Sequence, residues 1–202
     1  MVSKEITMDM NNKELILAHE KKFAAILASH VLVKPKLSAW MIFIPFIFIF
    51  YFQDFSVYKK QRKEFLSNWF LSRKKALNEA EEAIDEGRKP NTQLLADQAN
   101  LKAKVSGTYD RLLKVMANHY TLLLNAKGDS YEGLVRSAYG GRQGEYIFFI
   151  NQLADAEIAL NQALVPQLSK ISEGVKTTIK KIEKGSEKLR RLEAGKIFES
   201  VK

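Results

Sequence analysis

The feature that most constrains this sequence is residues 37–53, a stretch of seventeen residues that contains no charged side chain. Half of the twelve phenylalanines of the chain lie between positions 43 and 55. Folded as a helix, seventeen residues extend about 25 Å, and continuing to Tyr58 gives about 33 Å. Because the hydrocarbon core of a bilayer is about 30 Å thick, the length and composition of the stretch favour insertion into a membrane.

Three structures are open for this stretch. Its alternating isoleucines and phenylalanines favour a buried β-strand of a soluble protein, but the chain shows no other strong strand pattern that could pair with it. A single membrane-spanning helix would tolerate Pro45 as a kink. A re-entrant or in-plane segment would use Pro45 as its bend, since proline interrupts helical hydrogen bonding.

Aromatic and basic side chains at both ends of the stretch match the composition of a membrane interface. The predicted interface residues are Trp40, Tyr51, Tyr58, Lys34, Lys36, Lys59, Lys60, Arg62 and Lys63. Within about twenty residues of the stretch, cations are more numerous after it than before it. If the stretch spans once, this excess predicts that the C-terminal part of the chain lies in the cytoplasm.

Outside this stretch, the spacing of apolar residues predicts amphipathic helices. One begins near Asn11 and runs to about Val33. A second covers residues 56–86, basic in its first half and acidic in its second, and Gly87 ends it. Residues 92–125 form the best helical pattern, with an apolar stripe broad enough to need partner helices.

A glycine-rich segment, residues 131–146, interrupts the helical pattern. One interpretation is a flexible loop in which Arg136 and Arg142 contact an anionic ligand or a partner. The segment lacks the Gly-Lys-Ser/Thr sequence of a P-loop, and no strand precedes it as a dinucleotide site requires. The alternative is a corner between two helices, with glycine as the cap.

The sequence of residues 171–202, the last part of the chain, predicts a basic amphipathic helix. Its apolar residues follow an imperfect seven-residue repeat that is too short to establish a coiled coil. Such a helix can contact anionic lipid, an acidic protein or RNA. It can equally be a solvated face on a helix that packs by its apolar side.

The sequence lacks the residue patterns of the common catalytic sites. It has no cysteine, which excludes disulfides, cysteine-ligated metals and thiol nucleophiles. The histidines at positions 19, 30 and 119 stand apart, without the spacing of zinc hydrolases. We therefore predict no cofactor and no metal site, and we favour a protein without catalytic activity of its own. His119, at the edge of an apolar stripe, is predicted to be a satisfied core residue.

Together these patterns predict an all-α protein in which an N-terminal hydrophobic helix anchors a cytoplasmic helical bundle to a membrane. The predicted parts are an amphipathic helix (1–36), a membrane segment (37–58), a juxtamembrane helix and linker (59–90), a bundle (91–170) and a basic C-terminal helix (171–202).

The predicted function is a membrane-anchored scaffold, adaptor or complex subunit. Its expected partners are anionic lipid headgroups and other protein subunits or copies of itself. The net charge of +9 also suggests a nucleic-acid-binding protein, but the cations cluster beside the apolar stretch and near the C-terminus, which makes lipid the better partner. A membrane enzyme with its site at residues 131–146 is the third alternative.

Overall fold

The computed structural model describes residues 11–31, 58–167 and 173–199, and the regular structure within these ranges is helical throughout. The all-α prediction is confirmed. The seven α-helices are α1 (Asn12–Val31), α2 (Tyr58–Asp85), α3 (Thr92–Asp97), α4 (Ala103–Leu124), α5 (Tyr131–Ala138), α6 (Gln143–Leu164) and α7 (Glu173–Glu199), and a short 3-10 turn, Val165–Gln167, follows α6.

α1 and α2 pack side by side in opposite directions. Near the start of α1, Lys13 forms an ion pair of 2.5 Å with Glu81. Ten residues further along α1, the ring of Phe23 lies 5.9 Å from that of Trp69, centroid to centroid. Because residue numbers rise along α1 while they fall along α2, the last residue of α1 and the first of α2 lie at the same end of the pair. We call this the proximal end, and the opposite end the distal end.

The distal end is held by side-chain caps. Asn11 accepts a hydrogen bond of 2.9 Å from the backbone N–H of Glu14, whose carboxylate accepts one of 3.2 Å from the N–H of Asn11. This reciprocal capping box confirms the predicted start of α1. The amide of Asn12 donates to the carbonyl oxygens of Leu124 and Ala126 at the C-terminal end of α4. α4 therefore ends at the distal end.

The chain reverses after α2 at the predicted glycine. Gly87 has a φ of +65°, a left-handed conformation in which a side chain at Cβ would be strained. The N–H of Arg88 donates to the carbonyl oxygen of Ala83 at 2.9 Å, and the N–H of Gly87 donates to that of Ile84 at 3.1 Å. These two bonds form a Schellman motif, and they direct the chain back along α2.

The predicted single helix over residues 92–125 was wrong, because the structure divides it into α3 and α4. Asn100 adopts a φ of +50°, the left-handed conformation that asparagine tolerates better than most residues and that ends a helix. α3 then lies against α4, and the hydroxyl of Thr92 donates to the carboxylate of Asp110 at 2.6 Å.

The glycine-rich segment forms the corner between α5 and α6, as one of the two interpretations predicted. Ser130 caps α5 by accepting a hydrogen bond of 3.1 Å from the N–H of Gly133. Gly140 and Gly141 follow the end of α5 and have φ values of +58° and +71°. The N–H of Gly141 donates to the carbonyl oxygen of Arg136 at 2.8 Å, which closes the last turn of α5.

The main hydrophobic core lies between α4 and α6 and is completed by residues from α1, α2, α5 and α7. Its largest fully buried side chains are Tyr109, Tyr120, Ile16, Leu77, Leu112, Leu113, Met116, Leu123, Leu134 and Ile150. The predicted stripe of residues 92–125 is buried from Val105 onward. The core thus includes residues of α1 and α2, which precede the predicted bundle segment (91–170), and of α7, which follows it.

A second, smaller cluster lies toward the proximal end. It consists of Phe23, Ala24, Leu27, Ala28 and Trp69, with Leu66, Ile182 and Leu189 packed against it. The last two belong to α7. Leu192, which the seven-residue repeat placed on the same stripe, is 55% exposed. That assignment was wrong, because the buried face of α7 follows the 3.6-residue helical period through Ser186, Arg190, Ala194 and Ile197.

The predicted membrane segment, residues 37–58, lies outside the described residues except for Tyr58, the first residue of α2. Among the helices that the structure does describe, none combines the length and the hydropathy needed to cross a membrane.

Candidate functional site

The predicted membrane-interface residues fall into two groups. Lys34, Lys36, Trp40 and Tyr51 lie outside the described residues. Residues 58–63, which include the other five, form the first turns of α2 at the proximal end. Their role at a membrane surface stays a prediction.

The two arginines of the glycine-rich corner have different surroundings. Arg136 is partly buried, and its Nη1 donates to the backbone carbonyl oxygen of Ile197 at 3.2 Å, which ties α5 to the end of α7. Arg142 has a side chain that is 73% exposed and lies 3.9 Å from the carboxylate of Glu145. A ligand contact by either arginine stays a prediction, but Arg136 already has a structural partner.

The most unusual site was not predicted from the sequence. It is a buried layer of charged side chains between the two hydrophobic clusters. Glu157 of α6 accepts two hydrogen bonds of 2.7 Å from Arg190 of α7, one on each carboxylate oxygen. Arg73 of α2 donates to the same carboxylate at 2.9 Å. Arg73 also pairs with Glu20 of α1 at 3.0 Å, and Glu20 accepts a hydrogen bond of 2.8 Å from the hydroxyl of Tyr120 of α4. We call these five residues the ion layer.

Glu157 and Arg190 of the ion layer keep their charges despite burial. Burial raises the pKa of Glu157, but the guanidinium groups of Arg190 and Arg73 outweigh it, so the pKa lies below the ordinary value of 4.5. For Arg190, burial lowers the pKa, and the carboxylate of Glu157 more than compensates. Such bidentate, charge-assisted hydrogen bonds are among the strongest in proteins. The layer therefore joins five helices, and Glu157 and Arg190 at its centre stay ionised.

Aromatic rings of the second cluster cover the arginines of the ion layer. The guanidinium carbon of Arg73 lies 3.5 Å from the ring centroid of Trp69. That of Arg190 lies 5.4 Å from Phe23. Both distances are within the range of a cation–π interaction. The rings thus exclude water from the guanidinium faces that the carboxylates do not occupy.

A small cavity of about 30 Å³ adjoins the ion layer. His19 lies at its wall, with Nε2 2.7 Å from a carboxylate oxygen of Glu193 and its ring stacked on Tyr131. The Nδ1 atom of His19 is buried and has no hydrogen-bond partner among the described residues. One or two water molecules would fill this volume and could satisfy Nδ1.

His119 lines the other side of the same cavity. Its Nδ1 lies 2.8 Å from the hydroxyl of Tyr139, within hydrogen-bond distance. Its ring is stacked on Phe149 with a centroid separation of 3.9 Å. Burial, reinforced by the charges of His19 and Arg190, lowers the pKa of His119 to about 3. The prediction that His119 is a core residue with a hydrogen-bond partner is confirmed.

The cavity is too small for an organic substrate, since a typical ligand pocket holds about 300–1,000 Å³. Its carboxylates and arginines are already engaged with one another. Among the residues that the structure describes, no group of three or more histidines and carboxylates could hold a metal ion. The geometry therefore supports a role in fixing how the helices pack. Comparison with protein-family models, curated proteins and solved structures finds no match for this chain.

The ion layer was missed because its charged residues resemble surface residues when the sequence is considered one helix at a time. Arg190 lies within a run of cations, where it matches a solvated face. The available signal is helical spacing: Arg190 lies four residues before Ala194, and Glu157 lies four after Leu153, both on apolar faces. The pairing of the two residues across 33 positions is a property of the tertiary fold.

Two tyrosines of α4 give a test of hydrogen bonding in this core. The hydroxyl of Tyr109 is buried without a partner among the described residues. Tyr109→Phe should therefore raise the free energy of unfolding by roughly 1 kcal/mol, since a buried unpaired hydroxyl is costly. Tyr120→Phe should lower it by roughly 1.5–3 kcal/mol, because Glu20 loses its hydroxyl donor. Denaturant titration in detergent checks both, and equal effects would contradict the assignment.

Proposed function

We propose that this protein is a membrane-anchored helical scaffold, adaptor or complex subunit. Residues 37–53 would hold it in the bilayer, and the helical bundle would lie at the membrane surface on the cytoplasmic side. The observation that carries the proposal is the antiparallel packing of α1 on α2, which puts Val31 and Tyr58, the described residues on either side of the uncharged stretch, at the proximal end of the bundle.

The contacts between α1 and α2 are spread along their length. The Lys13–Glu81 pair lies at the distal end, the Glu20–Arg73 pair lies in the ion layer, and the Lys21 ammonium lies 5.2 Å from the ring centroid of Phe70. A membrane segment that crossed the bilayer once between α1 and α2 would separate these helices by the full membrane. The packing therefore favours the re-entrant or in-plane geometry over the single-pass one.

A re-entrant segment also fits the length of the stretch. With Pro45 as the bend, residues 37–44 and 46–53 would form two arms of eight residues. As helices, each arm would extend about 12 Å, which is less than half of a hydrocarbon core of about 30 Å. The basic residues on both flanks of the stretch would then face the headgroups of one leaflet.

The bundle offers helical surfaces for a protein partner. Phe148 of α6 is 61% exposed and Leu192 of α7 is 55% exposed. Their helices are joined near these positions by a hydrogen bond of 2.7 Å from Arg191 to the side chain of Asn151. Large exposed apolar side chains of this kind are common contact points at protein interfaces.

The topology is tested by labelling single cysteines, which is direct because the native chain has none. We expect Lys4→Cys and Lys202→Cys to react with a membrane-impermeant maleimide from the same side of native membranes. Ser29→Cys, at an exposed position near the end of α1, should report that side as well. Reaction of positions 4 and 202 from opposite sides would overturn the re-entrant geometry. Release of the intact protein by a carbonate wash would overturn membrane anchoring altogether.

A further inference from the structure

We propose that the outer face of α7 from Lys180 to Arg191 is a second membrane contact, which binds anionic lipid headgroups. This inference rests on the proposed function, since it requires the bundle to lie at a bilayer. It goes beyond that function by naming the surface that faces the lipid and the charge of the lipid that it selects.

The first half of α7 lies toward the proximal end. In its second half, Glu193 pairs with His19 of α1. Earlier along α7, the guanidinium of Arg190 lies over the ring of Phe23, and Ile182 packs against the second cluster. α7 therefore runs antiparallel to α1. Residues before 182 therefore extend toward the proximal end, where α1 finishes and α2 begins.

The outer face of this part of α7 is strongly basic. Its exposed cations are Lys180, Lys181, Lys184, Lys188 and Arg191. The acidic residues in the same span are Glu183, which accepts a hydrogen bond from Asn161, and Glu187, which pairs with Arg191. At 100° per residue, the five cations fall within one arc of the helix, opposite the face that packs on the bundle.

An open groove along this face offers a place for a headgroup. It has a volume of about 410 Å³ and is lined by Lys184, Glu187, Lys188, Arg191 and Leu192. Two lysines and an arginine can donate to phosphate oxygens, while Leu192 supplies an apolar contact. The combination of cations with an exposed leucine suits the boundary between headgroups and acyl chains.

The charge of the bundle is distributed along its long axis in the direction that this docking requires. The acidic end of α2, which includes Glu81, Glu82 and Asp85, lies at the distal end, where Glu81 pairs with Lys13. The exposed Lys180 and Lys181 of α7 precede Ile182, which packs against the second cluster, and so lie toward the proximal end. An anionic membrane at the proximal end would attract the basic half of the molecule and repel the acidic half.

The test uses the full chain, reconstituted into vesicles and labelled with a fluorophore at Leu192→Cys. Vesicles of phosphatidylcholine are compared with vesicles that also contain phosphatidylglycerol, and both carry a headgroup quencher. We expect quenching only with the anionic lipid, and we expect it to decrease in high salt. Lys180→Gln, Lys181→Gln and Lys184→Gln together should lower the ratio of docked to undocked α7 by roughly 100-fold.

A matched control removes the same charge elsewhere. Lys89, Lys114 and Lys127 are exposed residues outside α7, and their triple replacement with glutamine should leave quenching unchanged. Equal quenching in both vesicle types, or equal loss in both triple variants, would overturn the lipid contact while leaving anchoring intact. Failure of the chain to float with either vesicle would instead overturn the proposed function. RNA binding that the α7 triple variant alone abolishes, without a lipid effect, would assign the face to nucleic acid.

Discussion

Replacing Glu157 with alanine should lower the free energy of unfolding by about 3–5 kcal/mol, because removing one partner leaves buried charges uncompensated. Glu157 is 6% exposed, and its carboxylate is shared by Arg73 and Arg190, which are buried as well. Without it, Arg190 loses both of the hydrogen bonds that Glu157 accepts from it. The loss combines unpaired charge, lost hydrogen bonds and a cavity, so it should be among the largest for any single residue.

The control is a glutamate at the other end of the same helix. Glu145 pairs with Arg142 at 3.9 Å, and both side chains are exposed. Glu145→Ala should change the free energy of unfolding by less than about 1 kcal/mol, as for most exposed ion pairs. Denaturant titrations of both variants in detergent give the comparison. If Glu157→Ala were no more destabilising than Glu145→Ala, the ion layer would not stabilise the packing of the bundle.

A third variant separates the contribution of the ion layer to the free energy of unfolding from its role in fixing how the helices pack. Glu157→Leu combined with Arg73→Met, Arg190→Met and Glu20→Gln replaces the charges of the ion layer with uncharged groups, and the amide oxygen at position 20 can still accept the hydrogen bond from Tyr120. Because burying charges has a large desolvation cost, such replacements are often neutral or stabilising. We expect this quadruple variant to recover most of the stability that Glu157→Ala loses.

The helices of this chain could be predicted largely from sequence, because their signals are local. The capping box at Asn11 and the left-handed Gly87 depend on residues within a few positions of each other. The apolar stripe of α4 follows from the helical period. The break before α4 was missed because it depends on the backbone conformation of Asn100, and one asparagine beside an apolar stripe is a weak turn signal compared with glycine or proline.

The candidate sites depended on contacts between distant residues, which sequence spacing does not reveal. Arg73 and Glu157 are 84 positions apart, and each resembles a surface residue on its own helix. The direction of α1 relative to α2 likewise follows from pairs such as Lys13 and Glu81. Counting cations around residues 37–53 did not use the packing of α1 on α2, which joins the helices on either side of this stretch.

Acidification from pH 7 to pH 4.5 should lower the free energy of unfolding by about 2.5 kcal/mol through His119. Burial lowers the pKa of this residue to about 3, from an ordinary value of 6.5. Between these values, the unfolded chain binds a proton at this position and the folded chain does not. The contribution of His119 is therefore complete above pH 6.5 and is lost as the pH falls toward 3, at up to about 1.4 kcal/mol per pH unit.

His119→Asn isolates this contribution. The asparagine amide takes the position of Nδ1, so it can still hydrogen-bond the hydroxyl of Tyr139, but it does not titrate. We expect the difference in unfolding free energy between the wild type and this variant to be constant above pH 6.5 and to change steadily between pH 6.5 and 4.5. Below about pH 4.5, the lowered pKa values of Glu157 and Glu79 add a loss of the same sign. Parallel stability profiles for the two proteins across this window would show that His119 is protonated in the folded state, and hence that the aromatic cluster around it admits water.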